Sequence, residues 1–394
     1  MDWKIPFSGR SHQYTHVEEQ EVLRVMRGAI PLTQGVEKSK FETKYCEVLG
    51  VPYAFAVSNA TAGLELAAEL CQLDSEGEVL IPTHTFTSSA YPFVKQGAQI
   101  TWVDMDPITR VSQVEQYELC RSSKTKVIVV VHLYGFAVDM LSIRKWADTH
   151  NILVIEDNAQ ALGASRDNYK TGQLGDFSVA SFHSHKNLTT LGEGGMLSVR
   201  DAQYAEIIPL IRHNGHAPYL GDRECYWKPA MGDVVLPKLN DKIILPHNFC
   251  LGEVECALGT LLLDRLNQMN QEKRTRALWV MDQLKNIEGL KFHRVEDESH
   301  TYHLLVAELR TTKLRDQFLS HLSKKYLIQG VVQYNPLHRY PFYQELGLGK
   351  AICPNSDSFF DTMLSFPFHH CLEDTQIEYL SESIIQTAKH CGLV

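Results

Sequence analysis

With 394 residues, 44% of them hydrophobic and 22% charged, the chain has the length and balance of a soluble globular protein with room for two domains. A formal net charge of −9 excludes the broad basic surface that nucleic acid requires, though a local basic pocket for small anions remains compatible with it. Nine cysteines, an odd count with no CxxC pair, argue against a disulfide framework or a zinc site and fit scattered thiols in a reducing cytoplasm.

The N-terminus, MDWKIPFSGRSHQY, lacks a basic segment followed by an apolar one, so no secretory leader is expected. Residues 16–29 have helical spacing and end before a loop carrying Pro31 and Gly35. Residues 37–49 read as a second helix, with Phe41, Tyr45 and Val48 at helical intervals. Strands and helices then alternate: strand 53–58, helix 61–70, strand 78–82, helix 87–96, strands 99–104 and 126–133, helix 141–150 and strand 152–157. This βαβ order predicts an α/β fold with a mostly parallel sheet and helices on both faces. The apolar run 127–138 is too short and interrupted to cross a bilayer and reads as a buried strand with its loop.

After residue 200 the pattern changes. Residues 216–246, with Pro218, Pro229, Pro237, Pro246, Tyr226 and Trp227, read as a long irregular insertion. One helical stretch over 251–286 is long enough to bridge domains, and the remainder reads as a smaller α+β domain. The expected division is a large domain over 15–250 and a small one over 251–394 joined by residues 1–14.

Chemistry concentrates at two places. The stretch ILVIED ends in Asp157, which a buried parallel strand would present at the carboxyl edge of the sheet, where ligands of open α/β sheets bind. The next strand-like segment, VASFHSHK, carries Lys186 among Ser, His, Asn and Gly instead of on a charged helix face. A lysine that can take a carbonyl cofactor, with an acid to hold a pyridinium proton, is what pyridoxal 5′-phosphate (PLP) needs. Taken singly, the lysine reads as a solvated charge and the acid as a helix cap.

Other stretches supply the remaining parts of such a site. SNATAGLELA puts Ala60 and Thr61 at a strand-to-helix junction, an anion site by its free N–H groups; the simpler reading is a plain helix cap. Phe86 follows the next strand and could cover a ring face, or lie in the core. Ser181, before the lysine, could donate to a phosphate or merely end a strand. QYNPLHRYPFY gathers Tyr334 and His338 in a rigid polar loop, which by itself reads as a structural turn. Asn248 precedes the long helix, where capping is the simpler role.

The motifs PLTQGVEKSKFE, YAFAVSNATAGLELA, IPTHTFTSSA, VIEDNAQALGA, SFHSHKNLTTLGEGG, NPLHRYPFY and CPNSDSFFDTMLSFPFH occur together and in this order. In them the chain resembles the DegT/StrS-type sugar-nucleotide aminotransferases, fold-type-I PLP enzymes, over nearly its whole length. The resemblance implies that Lys186 bears the cofactor and shuttles the proton. It implies that Asp157 pairs with the ring nitrogen, Gln160 lies near the ring oxygen and Phe86 stacks on the ring. Ala60, Thr61 and Ser181 would bind the phosphate, with Asn248 reaching it from the partner of a homodimer. His338 and Tyr334 would lie on the substrate side. The implied reaction moves an amino group from an amino acid, glutamate by resemblance, to a keto-sugar, nucleotide-linked by the same resemblance, in amino-sugar and surface-polysaccharide biosynthesis.

Two departures stand out: Ala60 where the family usually has Gly, and Cys250 where close members carry a basic residue. One subgroup replaces the lysine by histidine and dehydrates its sugar. Lys186 stays in register here, which favours transamination over dehydration or epimerisation of a keto-sugar, and over a non-catalytic PLP-binding regulator.

Overall fold

The computed structural model describes residues 2–7, 10–219 and 232–394. Tyr226, Trp227 and Pro229 of the expected insertion lie outside the described residues. The chain begins with helices α1 (His16–Gly28) and α2 (Val36–Leu49). Thr15 caps α1 in a reciprocal box with Glu18, which satisfies two free N–H groups at the helix start.

Among the described residues the central sheet has seven strands: β1 (Tyr53–Val57), β2 (Glu78–Pro82), β3 (Gln99–Val103), β4 (Thr125–Val131), β5 (Leu153–Asp157), β6 (Phe177–Ser181) and β7 (Gly195–Val199). Their spatial order is β1-β7-β6-β5-β4-β2-β3. Only β7 runs against the others, pairing antiparallel with both β1 and β6. The apolar runs of β4 and β5 are buried, as strands covered on both faces must be. Helices α3 (Ala60–Leu70), α4 (Met140–His150) and α5 (Ala202–Arg212) cover the sheet.

Three readings from the sequence need correction. The single helix expected over 251–286 is two, α6 (Glu253–Asp264) and α7 (Leu266–Leu284), because Arg265 leaves helical geometry at φ −106° and ψ 8°. The helix expected over 87–96 is a 3-10 turn, Thr87–Ser89, followed by the short helix Tyr91–Lys95. Lys186 is not on a strand: β6 stops at Ser181, and the lysine lies in the turn beyond it. The described part of 216–246 holds two short antiparallel pairs, His216–Ala217 with Asp233–Val234 and Lys238–Leu239 with Lys242–Ile243.

Leu258 and Leu262 of α6 share an apolar cluster with Phe41 and Tyr45 of α2 and Ala54 of β1. Ala277, Val280 and Leu284 of α7 belong to a second core. That core also holds β9 (Leu305–Glu308) and β10 (Met363–Phe366), which pair antiparallel beside β8 (Lys291–Phe292). Helices α8 (Thr312–Tyr326) and α9 (Asp374–His390) pack on it. The N-terminal segment joins it through Ile5, which bridges to Ile328.

Candidate active site

At the carboxyl edge of the sheet, strand ends and loops enclose a cleft of about 550 Å³. Ala60, Thr61, Phe86, Asp157, Gln160, Ser181, Lys186 and Tyr334 all line it. Asp157 ends β5, and alternation along the strand sends its side chain to the face opposite that of Glu156. Its carboxylate accepts from Ser89 Oγ at 2.6 Å and from the Ala159 N–H at 3.1 Å. Lys186 is half-buried, and desolvation brings its amine down to about 8, with Asp157 opposing that shift.

The anion site forms where β1 turns into α3. Asn59 caps the helix, its Oδ1 accepting from the Ala62 N–H at 2.9 Å. The N–H groups of Ala60 and Thr61 open the helix and have no intrahelical acceptor. Gly195 of β7 passes so close that a Cβ there would sit 2.5 Å from the Asn59 carbonyl carbon, so the antiparallel strand braces this loop. Thr61 Oγ1 and Ser88 Oγ lie 2.8 Å apart, linking the loop to the turn after β2. Ser181, at the end of β6, is buried and lines the same cleft.

Gln160 is held at both ends: Oε1 accepts from the Tyr134 N–H at 2.8 Å, and Nε2 donates to Tyr334 Oη at 3.2 Å. Phe86 is 52% exposed and meets Tyr334 edge to face at 5.8 Å, so it stands over the cleft and is not a core residue.

Two candidates are not brought into the cleft. His338 is buried away from it, with Nδ1 2.7 Å from Thr83 Oγ1 and Nε2 3.3 Å from Asp357 Oδ1. The turn Leu337–Arg339, tied by the Leu337 N–H to the Thr83 carbonyl, rotates it inward, so the expected substrate-side place is not the one it takes. Asn248 does not line the cleft of its own chain either; it is exposed, beside Phe249, whose carbonyl accepts from the Ser58 N–H at 2.8 Å.

Residues 13–385 match the DegT/DnrJ/EryC1/StrS aminotransferase family. The chain belongs to that family. GDP-perosamine synthase of Escherichia coli O157:H7 is 31% identical over 347 residues, which is 88% of each chain. The spore coat polysaccharide biosynthesis protein SpsC of Bacillus subtilis is 28% identical over 99% of this chain and 97% of its own. In fold, Helicobacter pylori PseC, an aminotransferase involved in the biosynthesis of pseudoaminic acid, superposes with a TM-score of 0.87 at 24% identity, covering 98% of this chain and 99% of its own.

This aminotransferase also carries site residues that its sequence does not announce. Behind Lys186, the buried Lys273 of α7 donates to Asn187 Oδ1 at 2.9 Å and to the His303 carbonyl at 3.0 Å. Asn187 Nδ2 in turn donates to Asn270 Oδ1 at 3.2 Å. Burial lowers the Lys273 amine to about 7. Glu156, turned away from the cleft, accepts from His132 Nε2 at 2.8 Å and from the Gly172 N–H at 2.7 Å. The Val138 N–H donates to His132 Nδ1, which leaves Nε2 as the protonated nitrogen. His303 and His369 reach the cleft from the second core. No periodicity or spacing in the sequence marks any of these; only the neighbourhood of Asn187 to Lys186 could have pointed to one.

Proposed function

We propose that the protein is a PLP-dependent aminotransferase that moves an amino group from glutamate to the carbonyl of a nucleotide-linked keto-sugar, in the making of amino sugars for surface polysaccharides. The observation that carries this reading is that Lys186, Asp157 and the start of α3 open on one cleft. The donor set suits the cofactor: N–H groups at a helix start for a phosphate, a buried carboxylate for a pyridinium nitrogen, an exposed phenyl ring for its face and an amine for its carbonyl. Bound there, PLP would supply the electron sink that amino-group transfer needs.

The chain's own residues do the rest. Lys186, with its amine near 8, can take a proton from the donor carbon and return one close to neutral pH. Asp157, fixed by Ser89 and the Ala159 N–H, keeps a proton on the ring nitrogen. Phe86 and Tyr334 close one side of the cleft, and Gln160 orients Tyr334. The sugar substrate is favoured by relatives such as GDP-perosamine synthase.

The working unit in this reading is a cytoplasmic homodimer in which Asn248 completes the partner's phosphate site. Asn248 is exposed, and the loops around it expose Ile30, Leu32, Leu236 and Leu245. Among the described residues no helix is long and apolar enough to cross a membrane.

The test is turnover. Purified, PLP-loaded protein is given glutamate and a panel of dTDP- and GDP-linked keto-deoxyhexoses. Formation of 2-oxoglutarate together with an amino sugar is the expected result. A keto-sugar product formed without any amino donor would instead mean dehydration or epimerisation.

A further inference from the structure

The segments that flank β9 and β10 supply one wall of the cleft, through His303, Leu304, Phe368 and His369. β9 and β10 pair antiparallel up to Leu305 and Phe366, so His303, just before one strand, and His369, just after the other, leave the same end of the pair. Phe368 is buried in the second core and also borders the cleft, and His369 follows it in the lining. Ser11 joins them from the N-terminal segment, held by its N–H on the Ser184 carbonyl at 3.1 Å.

Among the described residues, both ring nitrogens of His369, Nδ1 of His303 and Oγ of Ser11 are shielded from water and have no hydrogen-bond partner. Buried polar groups are nearly always paired, and one left unpaired bears its full desolvation cost. Several such atoms around one cleft therefore indicate a ligand that completes them. Burial lowers His369 to about 4 and His303 well below the ordinary imidazole value, with the neighbouring Lys273 acting in the same direction. Both rings are thus neutral near pH 7; the two unpaired nitrogens of His369 offer one donor and one acceptor, and Nδ1 of His303 adds a third position. A sugar hydroxyl, itself both donor and acceptor, matches that pair. A phosphate or carboxylate, which wants positive charge, does not.

We propose that Ser11, His303 and His369 form a hydroxyl-recognition subsite for the sugar ring of the amino acceptor, and that this subsite sets which keto-sugar is accepted. The proposal rests on the keto-sugar reading given above. His303 is fixed through its carbonyl by Lys273, so its ring is presented from a rigid backbone.

The experiment separates the two half-reactions in the holoenzyme, followed by cofactor absorbance. One is amination of the cofactor by glutamate; the other is return of the amino group to the best keto-deoxyhexose of the dTDP- and GDP-linked panel. His369→Leu should lower kcat/KM of the acceptor half-reaction by about tenfold or more, chiefly through KM. The donor half-reaction should lose distinctly less, and His369→Gln should recover part of the loss. Calorimetry gives a readout independent of turnover: the affinity advantage of dTDP-glucose over dTDP, or of GDP-mannose over GDP, should shrink by a similar factor. Should His369→Leu not fold, Ser11→Ala, which removes a single hydroxyl, is read in the same way. Equal losses in both half-reactions, or unchanged acceptor kinetics in a folded variant, overturn the subsite alone. A wild-type protein that aminates no keto-sugar overturns the functional reading and the subsite with it.

Discussion

Lys273 Nζ donates to Asn187 Oδ1 at 2.9 Å, directly beneath the residue that follows Lys186. A buried amine of the second core thereby holds the turn that presents the reactive lysine, and no carboxylate bonds to that amine among the described residues.

Lys273→Met should remove this tie. Asn187 Oδ1 and the His303 carbonyl each lose a donor, at about 1–3 kcal/mol apiece, partly offset because an amine is no longer desolvated. The expected net loss near neutral pH is about 1–3 kcal/mol. The pH dependence is specific. The unfolded lysine keeps its proton to the ordinary value of 10.5, the folded one only to about 7. The unfolded chain therefore binds more protons in that window, and wild-type stability rises with pH across it. Urea unfolding of both proteins at several pH values measures the difference, and parallel curves would show that Lys273 does not titrate there.

Among the described residues, Lys186 should behave as the lysine of lowered amine that lines the open cleft. In the cofactor-free protein its acylation should be half-maximal near pH 8, because the amine is protonated and unreactive below that value. Borohydride treatment of the PLP-loaded protein should label the Lys186 peptide. A label on another lysine, or a midpoint near that of an ordinary lysine, contradicts the assignment.

Asp157→Asn is nearly isosteric and should fold with little change in Tm. Losing the negative charge at the ring nitrogen should slow turnover by about 10²- to 10⁴-fold. Steady-state kinetics check this; a rate within a few-fold of wild type would make the acid purely structural.

Glu156→Ala tests the opposite face of the same strand. Burial pushes this carboxyl up, but hydrogen bonds from His132 and the N–H groups of Gly172 and Gly175 outweigh it and hold the group below its usual value. The substitution strands several buried donors and should destabilise by about 4 kcal/mol or more. In the wild type this contribution is present above the unfolded carboxyl value, about 4.3, and is lost as pH falls through the lowered folded value. Acid unfolding should accordingly begin at higher pH in the variant.

Asn248→Ala and Lys186→Ala chains, each inactive alone, should regain activity when mixed under conditions that exchange subunits. A hybrid dimer then has one site with both lesions and one with neither. Demonstrated exchange without recovered activity, or a fully active monomer, disproves the shared site.

Much of this was legible in the residue order, because local chemistry decides it. Alternating branched apolar runs and helical stretches predict a parallel sheet, and a strand ending in Asp157 with Lys186 on the segment after it predicts a site at its carboxyl edge, although by its sequence that segment reads as strand up to the lysine. The cap at Asn59 and the free N–H groups of Ala60 and Thr61 follow from a strand turning into a helix. Tertiary structure decided the rest. It turned His338 inward onto Thr83, broke the long helix at Arg265, and brought His132 and the N–H groups of Gly172 and Gly175 onto Glu156. It also brought Lys273, His303 and His369, far along the chain, against Lys186 and its cleft. The reason is physical: propensity and patterning act over a few residues, whereas desolvation and hydrogen-bond pairing of buried polar groups depend on which distant segments the packed cores bring together.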